Sequence, residues 1–258
     1  MNGIPNHKIY GLVGYPLGHS FSRAFFTEKF REEGLGDEYR NFELPRFDHE
    51  TLVALAAENP GLCGLNVTAP HKRAAYALAD SLTPEAEDAG AANTLRLHCS
   101  GDGKLLRVEA HNTDVEGFRE SIRPFLRPDI RNALVCGTGG AASAVTVALR
   151  QLGVGSILVS RNPAGRHGVI SYQEIDSRLL TEAPLVVNAT PLGTFPATDK
   201  CVPIPYKLLS DHNICADLVY NPAETLFMRK AAISGAQTLN GAEMLRLQAL
   251  ASYKFWNK

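Results

Sequence analysis

The run Ala133-Leu134-Val135-Cys136-Gly137-Thr138-Gly139-Gly140-Ala141-Ala142 constrains the fold of this chain more than any other segment. An apolar strand runs into G-x-G-x-x-A, and an apolar helix, expected over Ala141–Leu152, follows at once. Gly137 permits the tight turn, Gly139 lets the backbone approach a pyrophosphate, and Ala142 allows the helix to pack closely on its strand. The helix N-terminus then faces the phosphates. Alone, such a glycine pattern is weak. Here a second strand, Ser156–Ser160, follows at the spacing of a strand–helix–strand unit, and the context points to a Rossmann-type dinucleotide-binding domain.

The rest of the chain alternates short apolar runs with helical patterns, as α/β proteins do. Before the glycine turn, strands are expected at Lys8–Gly14, Tyr39–Leu44, Leu62–Val67, Asn93–Cys99 and Lys104–Ala110. Helices are expected at Ser22–Glu33, His49–Glu58 and Pro70–Ala79. Asp48 reads as an N-cap, and Thr83-Pro84-Glu85 as an N-cap, a proline at the first helical position and an acidic first turn. Cys99–Gly103 reads as a hairpin turn. A second series starts near Thr113, with helices at Val115–Leu126, Ala141–Leu152, Tyr172–Leu180 and Ala223–Ser234. Its strands are Asn132–Cys136, Ser156–Ser160, Pro184–Ala189, Ile214–Val219 and Gln237–Leu239. A last helix, Ala242–Phe255, carries Met244, Leu245, Leu247, Leu250 and Phe255 and must pack against something.

Composition narrows the partners. With 26 basic against 27 acidic residues, no excess charge points to nucleic acid or to an anionic membrane. An anionic small molecule needs only one or two local cations. Cys63, Cys99, Cys136, Cys201 and Cys215 are odd in number, widely spaced and without C-x-x-C, which reads as reduced thiols in a cytoplasmic protein. Met1–Lys8 is polar, so no signal peptide is expected, and no stretch has the length of a membrane span. The histidines form neither H-E-x-x-H nor a Cys/His cluster, so no metal site is expected.

Two further segments carry chemistry. Ser160-Arg161-Asn162 ends the second strand of the nucleotide domain, where an NAD site usually places an acidic residue for the ribose hydroxyls. The Arg161 guanidinium can stack on adenine and pair with a 2′-phosphate to which Ser160 and Asn162 also donate, which favours NADP. The competing reading of Arg161 is an ordinary surface arginine. In Asn66-Val67-Thr68-Ala69-Pro70-His71-Lys72, an amide, a hydroxyl and a cation follow an apolar strand within seven residues. Pro70 suits the first turn of a helix, which puts Lys72 beside the positive end of the helix dipole. That position suits a lysine that gives and takes a proton better than a structural cation. A solvated surface lysine is the alternative. His71, about 100° away around the helix, is not expected to share the site, and His19 reads as a packing residue.

These motifs together resemble the shikimate dehydrogenase family, nearly end to end. Gly18-His19-Ser20-Phe21-Ser22 is similar to its H-S-x-S segment, Asn66–Lys72 to N-V-T-x-P-x-K, Ala91-Ala92-Asn93-Thr94 to A-x-N-T, and Asn112-Thr113-Asp114 to N-T-D. Asn188-Ala189-Thr190 and Asp217-Leu218-Val219-Tyr220 stand where the family has related segments, and Asn240-Gly241 through Met244, Leu245 and Gln248 resembles G-x-x-M-L-x-x-Q. The resemblance implies two α/β domains with a cleft between them. Residues 1–112 with 240–258 would bind the substrate, and residues 113–239 would form a Rossmann-type NADP domain. The implied reaction is the reversible NADPH-dependent reduction of 3-dehydroshikimate to shikimate, in the chorismate route to aromatic amino acids.

By the same resemblance, Lys72 and Asp114 are the catalytic pair. Ser20 and Ser22 bind the substrate carboxylate, and the competing reading of either serine is a helix cap. Asn66, Thr68, Asn93 and Gln248 read ring hydroxyls, and Tyr220 borders both substrate and nicotinamide. Cofactor contacts are implied at Gly137, Gly139, Gly140, Ala141 and Ala142 of the turn and at Ser160, Arg161 and Asn162. Asn188, Thr190, Leu218 and Gly241 complete them. Read alone, Asp114 is an N-cap for the Val115 helix, and Tyr220 is a packing residue. Arg23 stands where the family often has proline, Arg166 is spaced one residue further than expected, and Glu243 replaces a frequent glycine. Gly193 and Thr194–Pro203 read as a loop, and a lid over the nicotinamide is one role open to it. A quinate/shikimate dehydrogenase using NAD, a non-catalytic ligand-sensing relative and a methylene-tetrahydrofolate-type dehydrogenase are the alternatives, and either a monomer or a homodimer is compatible with the sequence.

Overall fold

The computed structural model describes residues 7–17, 21–163, 165 and 168–258. Ser20 and Arg166 lie outside the described residues. The chain divides into two compact units, one made of residues up to Thr113 with Ala249–Lys258, the other of Asp114–Gln248.

The first unit contains β1 (Ile9–Gly14), α1 (Phe21–Glu32), β2 (Glu38–Glu43), α2 (His49–Glu58), β3 (Leu62–Val67), α3 (Lys72–Ala77), β4 (Ser81–Leu82), α4 (Pro84–Ala89), β5 (Thr94–Cys99) and β6 (Leu105–His111). Its strands form one mixed sheet in the order β2-β1-β3-β5-β6-β4. β1 runs parallel to β2 and β3, and β5 runs antiparallel to β3 and β6. One side of its core is aromatic: Tyr10, Phe26, Phe30, Tyr39 and Trp256 are all buried. The Trp256 indole lies against β3 where Gly64 has no side chain, since a Cβ there would meet the ring at 2.7 Å.

The second unit follows with α5 (Thr113–Ile122), β7 (Asn132–Cys136), α6 (Gly140–Gln151), β8 (Gly155–Val159), β9 (Val169–Ile170), α7 (Ser177–Glu182), β10 (Leu185–Asn188), β11 (Ile214–Asp217), α8 (Leu226–Ile233) and β12 (Gln237–Leu239). Helix α9 (Ala242–Trp256) begins in this unit and ends in the first. The sheet order is β12-β11-β10-β7-β8-β9, with every pair parallel. Counted from β7, that is the order 3-2-1-4-5-6 of a doubly wound nucleotide-binding sheet, whose direction reverses between β7 and β10. Residues 133–136 of β7 and all of β10 and β11 are buried, which is why they read as unbroken apolar runs. Cys136 and Cys215 fill this core, and burial pushes both thiols up to about 12, so they act as small apolar groups.

Several local expectations give way to tertiary or capping effects. Pro70 does not open a helix. A turn closed by the His71 N–H on the Thr68 carbonyl, at 2.9 Å, precedes α3, which starts at Lys72. Asp114 is not an N-cap but sits inside the first turn of α5. The capping acceptor comes from the residue before β5, because Asn93 Oδ1 takes the Thr113 N–H at 2.7 Å. Helix α5 ends at Ile122, where a 3-10 turn containing Pro124 replaces its last expected turn. The helix expected over Tyr172–Leu180 is broken in two because Ser171 and Asp176 each cap a separate start. Helix α8 starts at Leu226 because Thr225, not an earlier residue, accepts the Met228 N–H. The two-residue strands β4 and β9 are too short to show a period.

Candidate functional site

In the second unit, the C-terminal ends of β7 and β10 meet at the reversal point, where ligands of such sheets bind. Gly137 turns with φ +119°, and a Cβ there would press on the Ala189 carbonyl at 3.1 Å. Gly139 precedes the first turn of the twelve-residue α6 with φ −90°, and no atom lies within 4 Å of where its Cβ would be. The turn therefore offers open space, the N–H groups of Gly140 and Ala141, and the positive end of α6 together, which fits a dinucleotide pyrophosphate. Ala142, 1% exposed, is the packing residue. Because alanine adopts that φ without strain, Gly139→Ala is expected to leave stability within about 1 kcal/mol and to weaken NADP binding about tenfold or more. Thermal unfolding and cofactor titration of the same variant check both halves, and unchanged affinity would place the phosphates elsewhere.

The residues around this turn divide into contacts and supports. Ser160 follows β8, its hydroxyl accepts the Asn162 N–H at 3.2 Å, and Arg161 is exposed beside it. Asn188 is fully buried. Its amide oxygen accepts both the N–H and the hydroxyl of Thr190, and its nitrogen donates to Asp217 and to the Leu192 carbonyl. The expected cofactor contact at Asn188 is thus a support for Thr190, because its amide is committed within the protein. Gly241 has a packing reason as well, since a Cβ there would collide with the Leu218 carbonyl oxygen. Both line a cavity of about 370 Å³ with Phe118, Ile122, Leu239 and Met244. Glu243 is explained by its neighbours: it pairs with Arg246 at 2.7 Å and is the acidic residue of the α9 first turn. Tyr220 follows β11 and is 40% exposed, which suits contact with a ligand rather than packing.

Asp217, 1% exposed, holds the ends of β10, β11 and α8 together. It accepts from Asn188 at 2.9 Å, from the Val219 N–H at 3.0 Å and from the Thr225 hydroxyl at 2.6 Å. Burial pushes its carboxyl up to about 6 even though all three bonds favour the charged form. Between pH 4 and 6 the folded chain then holds a proton that the unfolded chain has released, so this group's contribution to stability is largest near pH 4 and falls as the pH rises through 6. The expected fall is about 3 kcal/mol, from the usual 3.8 to about 6. Unfolding free energies of the wild type and Asp217→Asn across that window check it, and a pH-independent difference between them would refute it.

In the first unit, polar side chains gather at the ends of β3 and β5. Lys72 is half-buried at the start of α3, and its carbonyl accepts the Ala92 N–H at 2.9 Å, which ties it to the segment that leads through Asn93 into β5. Asn93, 4% exposed, holds Thr113 through both amide atoms. Asn66, 5% exposed, bonds Tyr39, Thr94 and Ser252. Thr68 follows β3, with its N–H on the Val13 carbonyl at 2.8 Å. Ser22 lies in the first turn of α1, within hydrogen-bonding reach of Tyr39. His71 is turned away into the core, with Nε2 2.6 Å from the Leu44 carbonyl and its ring beside Phe47. In the helices of the second unit, Asp114 is buried in the α5 first turn, and Gln248, in α9, donates to the Leu245 carbonyl. Thr94, the last residue of the A-x-N-T segment, belongs to the site's support, and so do Tyr39 and Ser252, which the sequence does not mark. Their partners are distant in the chain, and only a tyrosine in a strand that otherwise alternates with charged residues hinted at a buried hydroxyl.

A doubly wound parallel sheet with an open glycine turn at its reversal point, joined in one chain to a mixed sheet rich in buried amides and hydroxyls, defines a two-unit protein of the Rossmann dinucleotide-binding class. Residues 12–95 match the family model described as the shikimate dehydrogenase substrate binding domain. The shikimate dehydrogenase (NADP(+)) of Methanopyrus kandleri is 34% identical over 268 residues, 96% of this chain and 90% of that protein. A crystal structure of the shikimate 5-dehydrogenase of Thermus thermophilus in complex with NADP(H) and shikimate is similar with a TM-score of 0.80 at 32% identity, covering 96% of this chain and 93% of that one. A chorismate mutase/shikimate 5-dehydrogenase fusion protein from Clostridium acetobutylicum is similar with a TM-score of 0.81 at 34% identity, covering 98% and 92%. The chain belongs to the shikimate dehydrogenase family.

Proposed function

We propose that this protein catalyses the reversible, NADPH-dependent reduction of 3-dehydroshikimate to shikimate in aromatic amino-acid biosynthesis. The observation that carries this reading is that similarity to NADP(+)-dependent shikimate dehydrogenases spans 96% of the chain, across both units. Residues 1–112 with 240–258 serve the substrate and residues 113–239 serve NADP. NADPH, when bound, supplies the hydride. Lys72 polarises the substrate carbonyl and delivers a proton to the oxygen that becomes the alcohol. Asp114 orients that lysine and the ring hydroxyls. Ser20 and Ser22 bind the carboxylate, while Asn66, Thr68, Asn93, Tyr220 and Gln248 read the remaining ring groups. A site built of such donors and acceptors rejects analogues that leave them unpaired.

The cofactor rests on Gly137, Gly139, Gly140, Ala141 and Ala142, with Thr190, Leu218 and Gly241 around it and Asn188 behind Thr190. Ser160, Arg161 and Asn162 take the 2′-phosphate. Arg161→Asp is expected to weaken NADPH about 10- to 100-fold, the loss of a charge-assisted contact, and to spare NADH. Equal affinities of wild type and variant for NADPH would remove Arg161 from the phosphate site. Among the described residues no helix is long and apolar enough to cross a membrane, and we place the enzyme in the cytoplasm as a monomer or homodimer.

The deciding experiment follows nicotinamide absorbance with shikimate or quinate, each with NADP or NAD. Turnover confined to shikimate with NADP supports the proposal. Turnover of quinate, or with NAD, moves the protein to a broader enzyme of the same family. Nucleotide binding without turnover of either acid overturns it.

A further inference from the structure

We infer that Tyr39 and Ser252 are positioning residues that lock the Asn66 side-chain amide in one of its two orientations, so that Asn66 offers substrate only an acceptor. The inference rests on the proposed reaction for its functional meaning, and on hydrogen bonds within the first unit for its geometry. The Tyr39 hydroxyl donates to Asn66 Oδ1 at 2.8 Å. On the other side, Asn66 Nδ2 donates to Ser252 Oγ at 2.8 Å and to Thr94 Oγ1 at 3.2 Å. A flipped amide would set its NH₂ against the Tyr39 donor and its oxygen against two hydroxyls already engaged with each other at 2.9 Å.

Each part of the lock is itself held. Ser252 and Thr94 are fully buried, and Ser252 Oγ also lies 3.1 Å from Thr113 Oγ1. The Tyr39 ring stacks on Phe26 at 4.7 Å, and its hydroxyl is also within reach of Ser22. Tyr39 therefore joins two side chains proposed to bind substrate, Ser22 and Asn66, without itself needing to touch it.

The chemistry of the lock selects. An amide carries two donor hydrogens and one oxygen with two acceptor positions. Both hydrogens are engaged inside the protein, and Tyr39 takes one acceptor position. What Asn66 can still do is accept one bond, and only a hydroxyl can supply it. A ketone cannot, so Asn66 reads a ring hydroxyl that the reaction leaves unchanged rather than the carbon that alternates between carbonyl and alcohol.

Two measurements test the lock. In side-chain amide NMR, with the Asn66 signal identified by its loss in Asn66→Ala, the Asn66 NH₂ hydrogens should exchange with solvent at least about tenfold more slowly than those of exposed asparagines. Tyr39→Phe and Ser252→Ala, which keep ring and backbone packing, should each remove that protection. Fast exchange in the wild type, or protection unchanged in both variants, would overturn the inference. In steady-state kinetics Tyr39→Phe should raise the KM for shikimate about tenfold with kcat within about threefold, and should add no further rise in an Asn66→Ala background. The same rise in both backgrounds would show that Tyr39 acts on packing in general, and would overturn it. A wild-type protein with a protected Asn66 amide but no turnover of shikimate sustains the lock while overturning the proposed reaction.

Discussion

Replacing Lys72 with alanine is expected to lower turnover about 10²- to 10⁴-fold while leaving shikimate affinity within a few-fold. The size of the effect follows from the role proposed for the ammonium. Hydride cannot reach the carbonyl carbon cheaply unless the oxygen is polarised and then protonated, and alanine does neither. Alanine keeps the backbone bond that residue 72 makes, in which its carbonyl oxygen accepts the Ala92 N–H. Lys72 also opens a short helix in which Ala74, Ala75 and Ala77 already follow, so the substitution suits the local conformation. Steady-state kinetics with shikimate and NADP, alongside binding of each ligand alone, separates the two effects. Turnover near the wild-type rate would remove Lys72 from the mechanism, and a loss confined to KM would make it a binding group.

Trp256→Ala is expected to destabilise the first unit by about 3–5 kcal/mol, as large-to-small changes at buried aromatics do. The indole is 6% exposed, within 4.7 Å of the Tyr10 ring and 5.1 Å of the Phe26 ring between centroids. Its N–H donates to the Leu95 carbonyl at 2.9 Å, so alanine loses a hydrogen bond as well as the packed volume. Gly64 cannot fill the gap, because it has no side chain to relax into it. Trp256 is the single tryptophan of the chain, so urea unfolding is followed by circular dichroism rather than fluorescence. NADP binding, which depends on the second unit, should survive at low denaturant. A loss below about 1 kcal/mol would mean that the last turn of α9 only covers the core rather than completing it.

What could be read from the sequence was what is local in it. The glycine turn was legible because strand, turn and helix occupy adjacent residues, and each glycine has its own steric reason. The N-caps at Asp48 and Thr83 were legible for the same cause, since donor and acceptor lie three residues apart. Long-range partners escaped. Nothing near Thr113 announces that Asn93 caps its helix, and a serine such as Ser252 in an amphipathic helix gives no sign of bonding Asn66, 186 residues earlier. Asn188 and Gly241 fit a nucleotide-binding pattern by position. Their burial against Asp217 and Leu218 depends on how three strand ends converge, which no window of sequence contains.

The aromatic core of the first unit joins Tyr10, Phe26 and Tyr39 to Trp256, with the whole second unit between them in the chain. During synthesis, residues 114–248 leave the ribosome as a contiguous stretch and can fold as soon as they emerge. The first unit, although made earlier, must wait for its last helix. Until α9 is released, Gly64 and the aromatic side chains around it lie open, and that interval is when the nascent protein is most exposed to aggregation and to chaperones. The order of synthesis and the order of folding are therefore expected to run in opposite directions.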